Sequence, residues 1–475
     1  MSLLLIALSA TAQVPLTQIS SDDFTNTTSQ HETEVEPASF ARGNTIVSVF
    51  QMGRFTDGGS SDIGFSTSTD GGTTWTHGRL PGITKIEGTG SYDRASDTSV
   101  IYNEKFKLWL VETLALLNAG GAHGAAVLVS SSTDGITWNN PSTVSTVESG
   151  GFYDKPWIGC DNTSTSPFFG NCYIEWDDFA LGDLIEMSTS TDGGKTWSAK
   201  KNTADRAAGN GGLPLVQPNG TVIVPIDDAF QSSVLTFRST DGGASWSGTF
   251  SVSPIDEHFV AGGMRAFPLI AAQMDAKGRV FIVWADCRYR TNCSSNDIVI
   301  TSSTDGIGWK SPARVPIDSV TSGVDHFTPG FAIKRGTSGT TAELALTYNF
   351  FPNANCSSNC NLSVGFVEST NGGTTWSAPH TLASGMNPSW LPSTTSGQMA
   401  ADYMTAAFPG GKMHAVFPTA AAPVGSTLNQ AMQTNQHGVA ASAPEQPQFS
   451  SANDKPVPNA HSQVHRTTPV RDDMR

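Results

Sequence analysis

Short runs in which apolar and polar residues alternate recur along most of the chain, and they come in groups of four. In the first group the runs cover residues 36–40, 45–51 and 63–68 and the stretch that begins at Trp75. In a later group they cover residues 265–272, 279–284 and 297–303 and the stretch that begins at Trp309. Alternation with a period of two is typical of β-strands with one buried face. The pattern therefore predicts an all-β protein built from four-stranded antiparallel units.

A turn motif separates the third run from the fourth. Its fullest form, Ser-Thr-Asp-Gly-Gly-Thr-Thr-Trp, occupies residues 68–75, and further copies occupy residues 132–138, 190–197, 239–246, 303–309 and 369–376. The Asp and Ser side chains can bond to backbone amides of a turn, Gly allows a positive φ, and Trp can wedge between neighbouring sheets. Successive Trp residues are 49 to 67 residues apart. A repeat at this interval indicates a propeller or a solenoid.

A seventh group covers residues 399–408, 413–418 and 428–434, but it lacks the motif and the fourth run. Residues 14–19 can supply the missing strand, which would remove both free sheet edges. We therefore predict a β-propeller of seven blades over residues 13–435, with six blades and an appended hairpin as the alternative. Residues 436–475 are rich in Pro, Ser, Ala, Gln and Asn, and we expect a disordered tail there.

Composition narrows the function classes. The 475 residues include 42 acidic and only 27 basic side chains, for a net charge of −15. Charged residues make up 15% and there are 47 glycines, which argues against a coiled coil or a helical bundle. The acidic balance disfavours nucleic acid or an anionic membrane as a partner. Residues 1–12 resemble the end of a secretory signal, with an apolar run too short to span a bilayer. We expect a secreted or periplasmic monomer.

The six cysteines fall into three close pairs, Cys160 with Cys172, Cys287 with Cys293, and Cys356 with Cys360. Each pair lies in a segment rich in Asn, Ser or Thr, where a local disulfide would order a surface loop. A metal site is the rival interpretation, but neither CxxC spacing nor a neighbouring His cluster supports it. The pairing predicts three short-range disulfides.

The repeated motif resembles the Asp box of the sialidase superfamily, and the resemblance covers roughly residues 30–435. It implies that the boxes lie at the turns between the third and fourth strands, on the face away from the active site. The superfamily includes sialidases, other glycosidases, polysaccharide lyases and non-catalytic receptors, so the fold alone leaves function open. In an antiparallel blade, the loops after strand 2 and the entries to strand 1 share the opposite face. We expect a funnel-shaped ligand site there.

The resemblance also implies roles for particular residues. Sialidases use a Tyr nucleophile with a Glu partner, an Asp acid/base and three Arg that hold a carboxylate. Tyr403 lies where the family has its nucleophile, and Asp57 or Asp62 follows strand 2 as the acid/base Asp does. Glu112 and Glu175 are the acids to test beside Tyr403. The candidate substrate-binding residues are Arg54, Arg94, Arg265, Arg288, Asp402 and His326.

The chain departs from the family where the first clasp Arg should stand. In place of Arg-Ile-Pro it carries Val35, Glu36 and Pro37, so the first clasp Arg is absent and an acid stands near its place. Structural roles therefore compete with functional ones: each Arg can form an ion pair with one of the many neighbouring Asp, and Tyr403 can be an ordinary strand aromatic. The acids that recur at the strand entries more often make structural hydrogen bonds.

Three function hypotheses follow. The leading one is a sialidase-like glycoside hydrolase, exo-acting and retaining, that cleaves glycans. A polysaccharide lyase acting on a uronate-containing glycan is the second, and a non-catalytic propeller that binds glycans or proteins is the third. No cofactor or catalytic metal is expected, although the ring of acids leaves a structural Ca²⁺ ion open.

Overall fold

A computed structural model describes residues 14–438 and 454–457, and within these residues the protein is all-β. The predicted signal segment and most of the predicted tail lie outside the described residues. Every helix among them is a single 3-10 turn, and none is long enough to cross a bilayer. These turns are Phe179–Leu181, Thr291–Cys293, Gly339–Thr341, Pro388–Trp390 and Pro409–Gly411.

The strands fall into repeating units that we number along the chain. A first short strand, β1 (Leu16–Gln18), precedes unit one, which contains β2 (Gln30–Arg42), β3 (Thr45–Arg54), β4 (Ser60–Ser68) and β5 (Thr76–Arg79). Unit two contains β6 (Arg94–Asn103), β7 (Leu108–Leu117), β8 (His123–Ser132) and β9 (Ser142–Thr146). Unit three contains β10 (Tyr153–Cys160), β11 (Cys172–Asp178), β12 (Leu184–Ser190) and β13 (Lys201–Asn202).

The remaining units follow the same order. Unit four contains β14 (Gly209–Asn210), β15 (Leu215–Val216), β16 (Val222–Asp228), β17 (Ser233–Ser239) and β18 (Phe250–Pro254). Unit five contains β19 (Ala271–Met274), β20 (Val280–Asp286), β21 (Asp297–Ser303) and β22 (Ala313–Arg314). Unit six contains β23 (Asp325–Ile333), β24 (Leu344–Phe351), β25 (Leu362–Ser369) and β26 (His380–Met386). A hairpin of β27 (Ser393–Thr394) and β28 (Gly397–Gln398) precedes unit seven, which contains β29 (Thr405–Ala407), β30 (His414–Ala420) and β31 (Gln430–Asn435).

Each unit is an antiparallel meander, as the alternating runs predict. Units one and two are joined into one sheet by a single bridge between Ser60 and Ala95, and in unit four both β14 and β15 pair with β16. The turn motifs lie between the third and fourth strands of units one to six. The first strand of unit five begins later than the predicted residues 265–272, since β19 covers Ala271–Met274. The amide of Arg265 donates instead to the carbonyl of Gln398 in the hairpin strand β28.

The turn motif has the hydrogen bonds that its composition predicts. In the first copy, Ser68 Oγ accepts from the amide of Gly72 at 2.8 Å, and Asp70 Oδ1 accepts from the amides of Thr73 and Thr74 at 3.0 and 2.9 Å. These bonds lower the pKa of Asp70 to about 2. The other copies repeat the pattern, with Asn371 as the acceptor in the last. The repeated residues therefore act on the turn that they occupy.

Unit seven is completed by the beginning of the chain. Strand β1 pairs antiparallel with β31, so that Leu16 lies opposite Asn435. This is the strand that the sequence predicts at residues 14–19. Strand β2 packs against β6 on one side and against β29 on the other. The first and last units are thus in contact, and the N-terminal strand covers an edge of unit seven.

Three disulfides connect the cysteine pairs that the sequence predicts. The bond between Cys160 and Cys172 closes the connection from β10 to β11. The other two lie in the connections that follow the second strands of units five and six. The apolar core lies between neighbouring sheets, where Trp176, Trp284 and Trp376 are at most 2% exposed.

Candidate functional site

Irregularities in three neighbouring first strands bring charged side chains together. The pairing register shifts between Val35 and Ala38 in β2, between Ser96 and Thr98 in β6, and between Asp154 and Trp157 in β10. The skipped positions include Glu36, Asp97 and Lys155. A β-bulge of this kind re-aims a side chain and is common beside active sites. Glu36 and Lys155 also have φ values of 56° and 48°, which non-glycine residues rarely adopt.

Lys155 is the centre of the resulting cluster. Its Nζ lies 3.0 Å from Asp402 Oδ2, 3.3 Å from Asp97 Oδ1 and 3.9 Å from Glu36 Oε1. Arg265 grips the same Asp402 with two bonds, Nε to Oδ1 at 2.8 Å and Nη2 to Oδ2 at 2.5 Å. All five residues are buried. We call Glu36, Asp97, Lys155, Arg265 and Asp402 the central cluster.

Tyr403 follows the cluster residue Asp402 and lies just before β29. Its hydroxyl oxygen accepts a hydrogen bond from the amide of Thr98 at 3.3 Å, and its ring meets the ring of Trp157 edge to face, with centroids 5.2 Å apart. The side chain is half-buried. A peptide N–H directed at the phenol oxygen would stabilise negative charge on that oxygen.

The charges of the cluster act in opposite directions on its acids. Burial raises the pKa of Glu36 well above its usual range, and the neighbouring charge of Asp97 raises it further. Burial also favours the neutral form of Asp402, but Arg265 and Lys155 outweigh it and hold the pKa of that carboxyl below its usual range. Burial, Glu36 and Asp97 raise the pKa of the Tyr403 phenol. The surroundings thus favour the neutral form of Glu36 and of the Tyr403 phenol and the ionised form of Asp402.

The four candidate clasp arginines all bond to protein acceptors. Arg94 forms a two-bond pair with Asp57 at 2.6 and 3.3 Å. Arg288 pairs with Asp286, with bonds of 2.9 and 2.6 Å. Arg54 donates to the carbonyl of Gly59 at 2.8 Å and to Met399 Sδ at 3.3 Å. Arg94, Arg288 and Arg265 thus form the ion pairs with Asp that the sequence left open as the alternative, whereas Arg54 bonds to a carbonyl and a thioether. Arg265 lies in the central cluster, and the charge of Arg54 acts on Glu36.

The candidate catalytic acids of the sequence lie outside the central cluster. Glu112 accepts a bond from Ser99 Oγ at 3.0 Å; burial raises its pKa well above the usual range, and the charge of Asp97 adds to that shift. Burial alone raises the pKa of Glu175 in the neighbouring β11. Asp62 is buried in β4, where the charges that act on it are Glu87 and Arg79, so it is directed away from the cluster. Asp57 is the exposed member, with 42% of its side chain accessible.

His326 belongs to a second polar network between units five and six. Its Nδ1 lies 3.3 Å from the carbonyl of Asn296, its ring packs edge to face on Tyr348, and burial lowers its pKa. Together with Asp297 and Asp318 it forms a group that has the spacing of metal ligands.

Two arginines compete with a metal for that group. Arg290 bonds to Asp297 Oδ2 at 2.9 Å and to Asp318 Oδ1 at 2.7 Å. Arg314 Nε lies 2.8 Å from Asp297 Oδ1, and its Nη2 lies 2.5 Å from Asp318 Oδ1. The two guanidinium charges already compensate the two carboxylates, so the donor set does not fit a cation.

One cavity of about 400 Å³ is lined by the first strand of every unit. Asp97, Lys155 and Tyr403 line it, and so does Trp157. Most of the remaining wall is apolar side chain and strand backbone. Asp97 and Lys155 of the central cluster, together with Tyr403, therefore face a space that the first strands of all seven units share.

Sequence reasoning missed the residues that hold this site together. Asp97 and Lys155 can be recognised in the sequence as polar residues near strand entries, but no pattern marks them as partners of Asp402. Glu36 is visible only as a departure from the Arg-Ile-Pro motif. The signal that unites them is the register shift in each first strand, and a shift of one residue leaves no mark on alternation of this length.

Comparisons with known proteins support the fold. No protein-family model and no curated protein matches the chain. Among solved structures, an ulvan lyase of polysaccharide lyase family PL25, bound to a GlcA–Rha3S fragment, superposes with a TM-score of 0.51 at 11% identity, covering 90% of this chain and 96% of that one.

Two sialidase structures superpose less closely. The NanB sialidase from Streptococcus pneumoniae gives a TM-score of 0.43 at 13% identity, covering 88% of this chain and 70% of that one. The intramolecular trans-sialidase of leech gives 0.42 at 14% identity, covering 84% and 67%. The neighbours thus include sialidases and a polysaccharide lyase.

Proposed function

We propose that the seven units are the blades of a β-propeller and that the six turn motifs are Asp boxes on one face of it. The contact of β2 with both β6 and β29 supports this arrangement, as does the cavity lined by all seven first strands. The propeller domain would span residues 13–435, after a signal segment at 1–12 and before a tail at 436–475. Three disulfides are consistent with an extracellular protein, and we propose secretion or export to the periplasm.

We propose that the protein is a glycoside hydrolase whose reacting centre is Tyr403 with Glu36 and Asp97. The observation that carries the proposal is that Lys155 lies between two acids with opposite pKa shifts, raised for Glu36 and lowered for Asp402, beside the half-buried phenol of Tyr403. Glycoside cleavage requires a group that donates a proton to the leaving oxygen and a second group that attacks or activates water. Tyr403 and Asp97 line one cavity, and Glu36 lies behind them, 3.9 Å from Lys155 Nζ.

The steps can be assigned to residues of this chain. Tyr403 Oη would attack the anomeric carbon, and its proton would pass to Asp97, whose charge acts on the phenol. The amide of Thr98 would stabilise the oxygen as the phenol loses its proton. Glu36, whose pKa burial raises, would protonate the leaving oxygen, with the exposed Asp57 as the alternative acid. The ionised Glu36 would then take a proton from a water molecule, and the water oxygen would attack the anomeric carbon. This attack would break the bond from the sugar to Tyr403 Oη, and the tyrosine would recover its proton from Asp97. Lys155 and Arg265 would fix Asp402 and, with it, the backbone that carries Tyr403.

This arrangement favours a sugar that is bound through its hydroxyl groups. An exo-α-sialidase would need a clasp of arginines for the substrate carboxylate. Because Arg54, Arg94, Arg265 and Arg288 bond to protein acceptors, such a clasp is not preformed. A neutral glycoside is therefore the substrate class that we propose.

A polysaccharide lyase is the second candidate, and the position of Lys155 favours it. A lyase needs a cation near the uronate carboxylate and a phenol or imidazole to move a proton. Lys155 and Tyr403 line the same cavity and could take these roles. In this case cleavage would form a carbon–carbon double bond instead of consuming water.

A panel of 4-methylumbelliferyl glycosides, sialoside included, tests the hydrolase, and ultraviolet absorbance of an unsaturated product from uronate polysaccharides tests the lyase. We expect turnover of a neutral glycoside that falls by at least about 100-fold in Tyr403→Phe. Tyr102→Phe removes a hydroxyl at the other end of strand β6 and should retain full activity. Absence of turnover by the folded wild type on every substrate would refute the enzymatic proposal and favour a binding protein.

A further inference from the structure

The cavity at the centre of the seven units extends well beyond the reacting groups. Asp97, Lys155 and Tyr403 line one part of it, and residues of the connections between first and second strands, such as Thr163 and Pro218, line another. The cavity is therefore long in the direction of the strands. A sugar held at Tyr403 would leave much of this space unfilled.

The wall of the cavity has a chemistry of its own. Each first strand contributes a residue that lines the cavity and is partly exposed, namely Ser39, Ile101, Trp157, Leu215, Ala271, Ile333 and Thr405. Most of these side chains are apolar, and only two hydroxyl groups interrupt them. A partly exposed apolar ring of this kind contrasts with the polar, charged groups that hold Tyr403. This ring suits a flat apolar ligand, whereas the polar side chains of Asn162, Gln273 and Arg335 line the cavity elsewhere.

Polar groups at one end define where such a ligand would carry its own polar atom. Asp97 and Lys155 both line the cavity beside Trp157, and Lys155 Nζ lies 3.3 Å from Asp97 Oδ1 and 3.0 Å from Asp402 Oδ2. A ligand group beside this ion pair would meet a carboxylate that accepts and an ammonium that donates hydrogen bonds. A neutral hydroxyl group can satisfy both because it is at once a donor and an acceptor. An anionic group would meet the carboxylates of Asp97 and Asp402, which are within 3.3 Å of the same ammonium.

We propose that this cavity binds an aromatic ring that carries a neutral hydroxyl group, with the ring against Trp157 and the hydroxyl between Asp97 and Lys155. Resting on the proposed function, this ring is the leaving group of the substrate, which is then an aryl glycoside. Protonation of the glycosidic oxygen by Glu36 and attack by Tyr403 break the bond between the sugar and that oxygen, and the phenol remains in the cavity. The cavity thus selects the substrate by its apolar end.

Binding of 4-methylumbelliferone to the full chain tests the inference without any turnover. Fluorescence polarisation at acidic pH, where the phenol is neutral, should show saturable binding. Ala271→Phe and Thr405→Phe fill the cavity from two different strands, and each should weaken binding by roughly tenfold or more. Ala199→Phe makes the same change at an exposed residue, as a matched control, and should bind like the wild type.

The polar end is tested with the methyl ether of the same coumarin. The ether cannot donate to Asp97, so we expect it to bind several-fold more weakly than the phenol. Undetectable binding of the phenol, or binding that survives both filling substitutions in folded protein, would overturn the inference. Equal affinity for phenol and ether would overturn the position assigned to the hydroxyl. Because no catalysis is measured, a protein that binds the phenol but cleaves no glycoside would refute the proposed function and leave this site standing.

Discussion

Replacing Arg265 by Met removes the guanidinium that neutralises Asp402 while retaining much of the apolar volume. The arginine makes two bonds to the carboxylate, and both residues are at most 2% exposed. Lys155 would remain as the only cation of the cluster beside Asp402, although it also serves Asp97 and Glu36. The substitution therefore leaves a buried carboxylate that is only partly compensated.

The expected cost follows from burial. Removing one partner of a buried pair typically lowers the free energy of unfolding by about 3–5 kcal/mol, because the remaining charge stays desolvated. The sign of the pH dependence is also determined. The pKa of Asp402 in the folded protein lies below its ordinary value of 3.8. Its ionised form therefore stabilises the fold above that ordinary value, and this stabilisation is lost as the pH falls toward the lower, folded pKa.

Urea unfolding of Arg265→Met and wild type at neutral pH and at several acidic values measures both effects. We expect the difference between the two proteins to be largest at neutral pH and to shrink on acidification below about pH 4. Arg42→Met is the control: it breaks a pair with Glu104 whose arginine side chain is 46% exposed, and it should cost at most about 1 kcal/mol. A loss in Arg265→Met no larger than in the control, or one that is independent of pH, would refute the reasoning.

Two other substitutions have a defined sign. Glu175→Gln should raise the free energy of unfolding at neutral pH. Burial raises the pKa of Glu175, so the wild type loses stability as the pH rises above 4.5, the ordinary pKa of a glutamate, and glutamine removes that loss. The gain should vanish at lower pH, and equal urea midpoints at neutral pH would contradict this. Replacing Cys160 and Cys172 together by Ser should lower the free energy of unfolding by about 2–4 kcal/mol, because the disulfide closes a loop with a sequence separation of 12. Denaturant titrations measure this loss, and an unchanged midpoint would show that the loop is ordered without the disulfide.

The fold could be predicted from the sequence because its signals are local and repeated. The turn motif carries its own hydrogen bonds, as Asp70 and Ser68 show, so its position between two strands follows from a few adjacent residues. The pairing of β1 with β31 was also predictable, since one run lacked a sheet and one sheet lacked a strand. Where boundaries differ, as at β19, long-range backbone bonds decide them and local pattern does not.

The site was predicted less well because its determinants are distant in sequence. Tyr403, Asp402 and Arg265 were recognised as candidates, and the structure brings the three together. Lys155 was not recognised as their partner. It lies at a register shift in β10, and its ammonium contacts the carboxylates of Glu36, Asp97 and Asp402, which come from units one, two and seven. The same excess of acids accounts for the ion pairs of the arginines. The chain has 42 acidic and 27 basic side chains, so carboxylates are available to pair with buried guanidinium groups.

The assembly of the site depends on the contact between the first and last units. Asp402 and Tyr403 belong to unit seven, whereas Glu36, Asp97 and Lys155 belong to units one to three. Unit seven is held in place by β1, through the pairing with β31 and through the bond from the amide of Met432 to Ser20 Oγ at 2.8 Å. Strand β2 also contacts β29, β30 and β31, so the first unit and the N-terminal strand together hold unit seven, which carries Tyr403. The position of the Tyr403 phenol therefore depends on a contact between residues that are far apart in sequence.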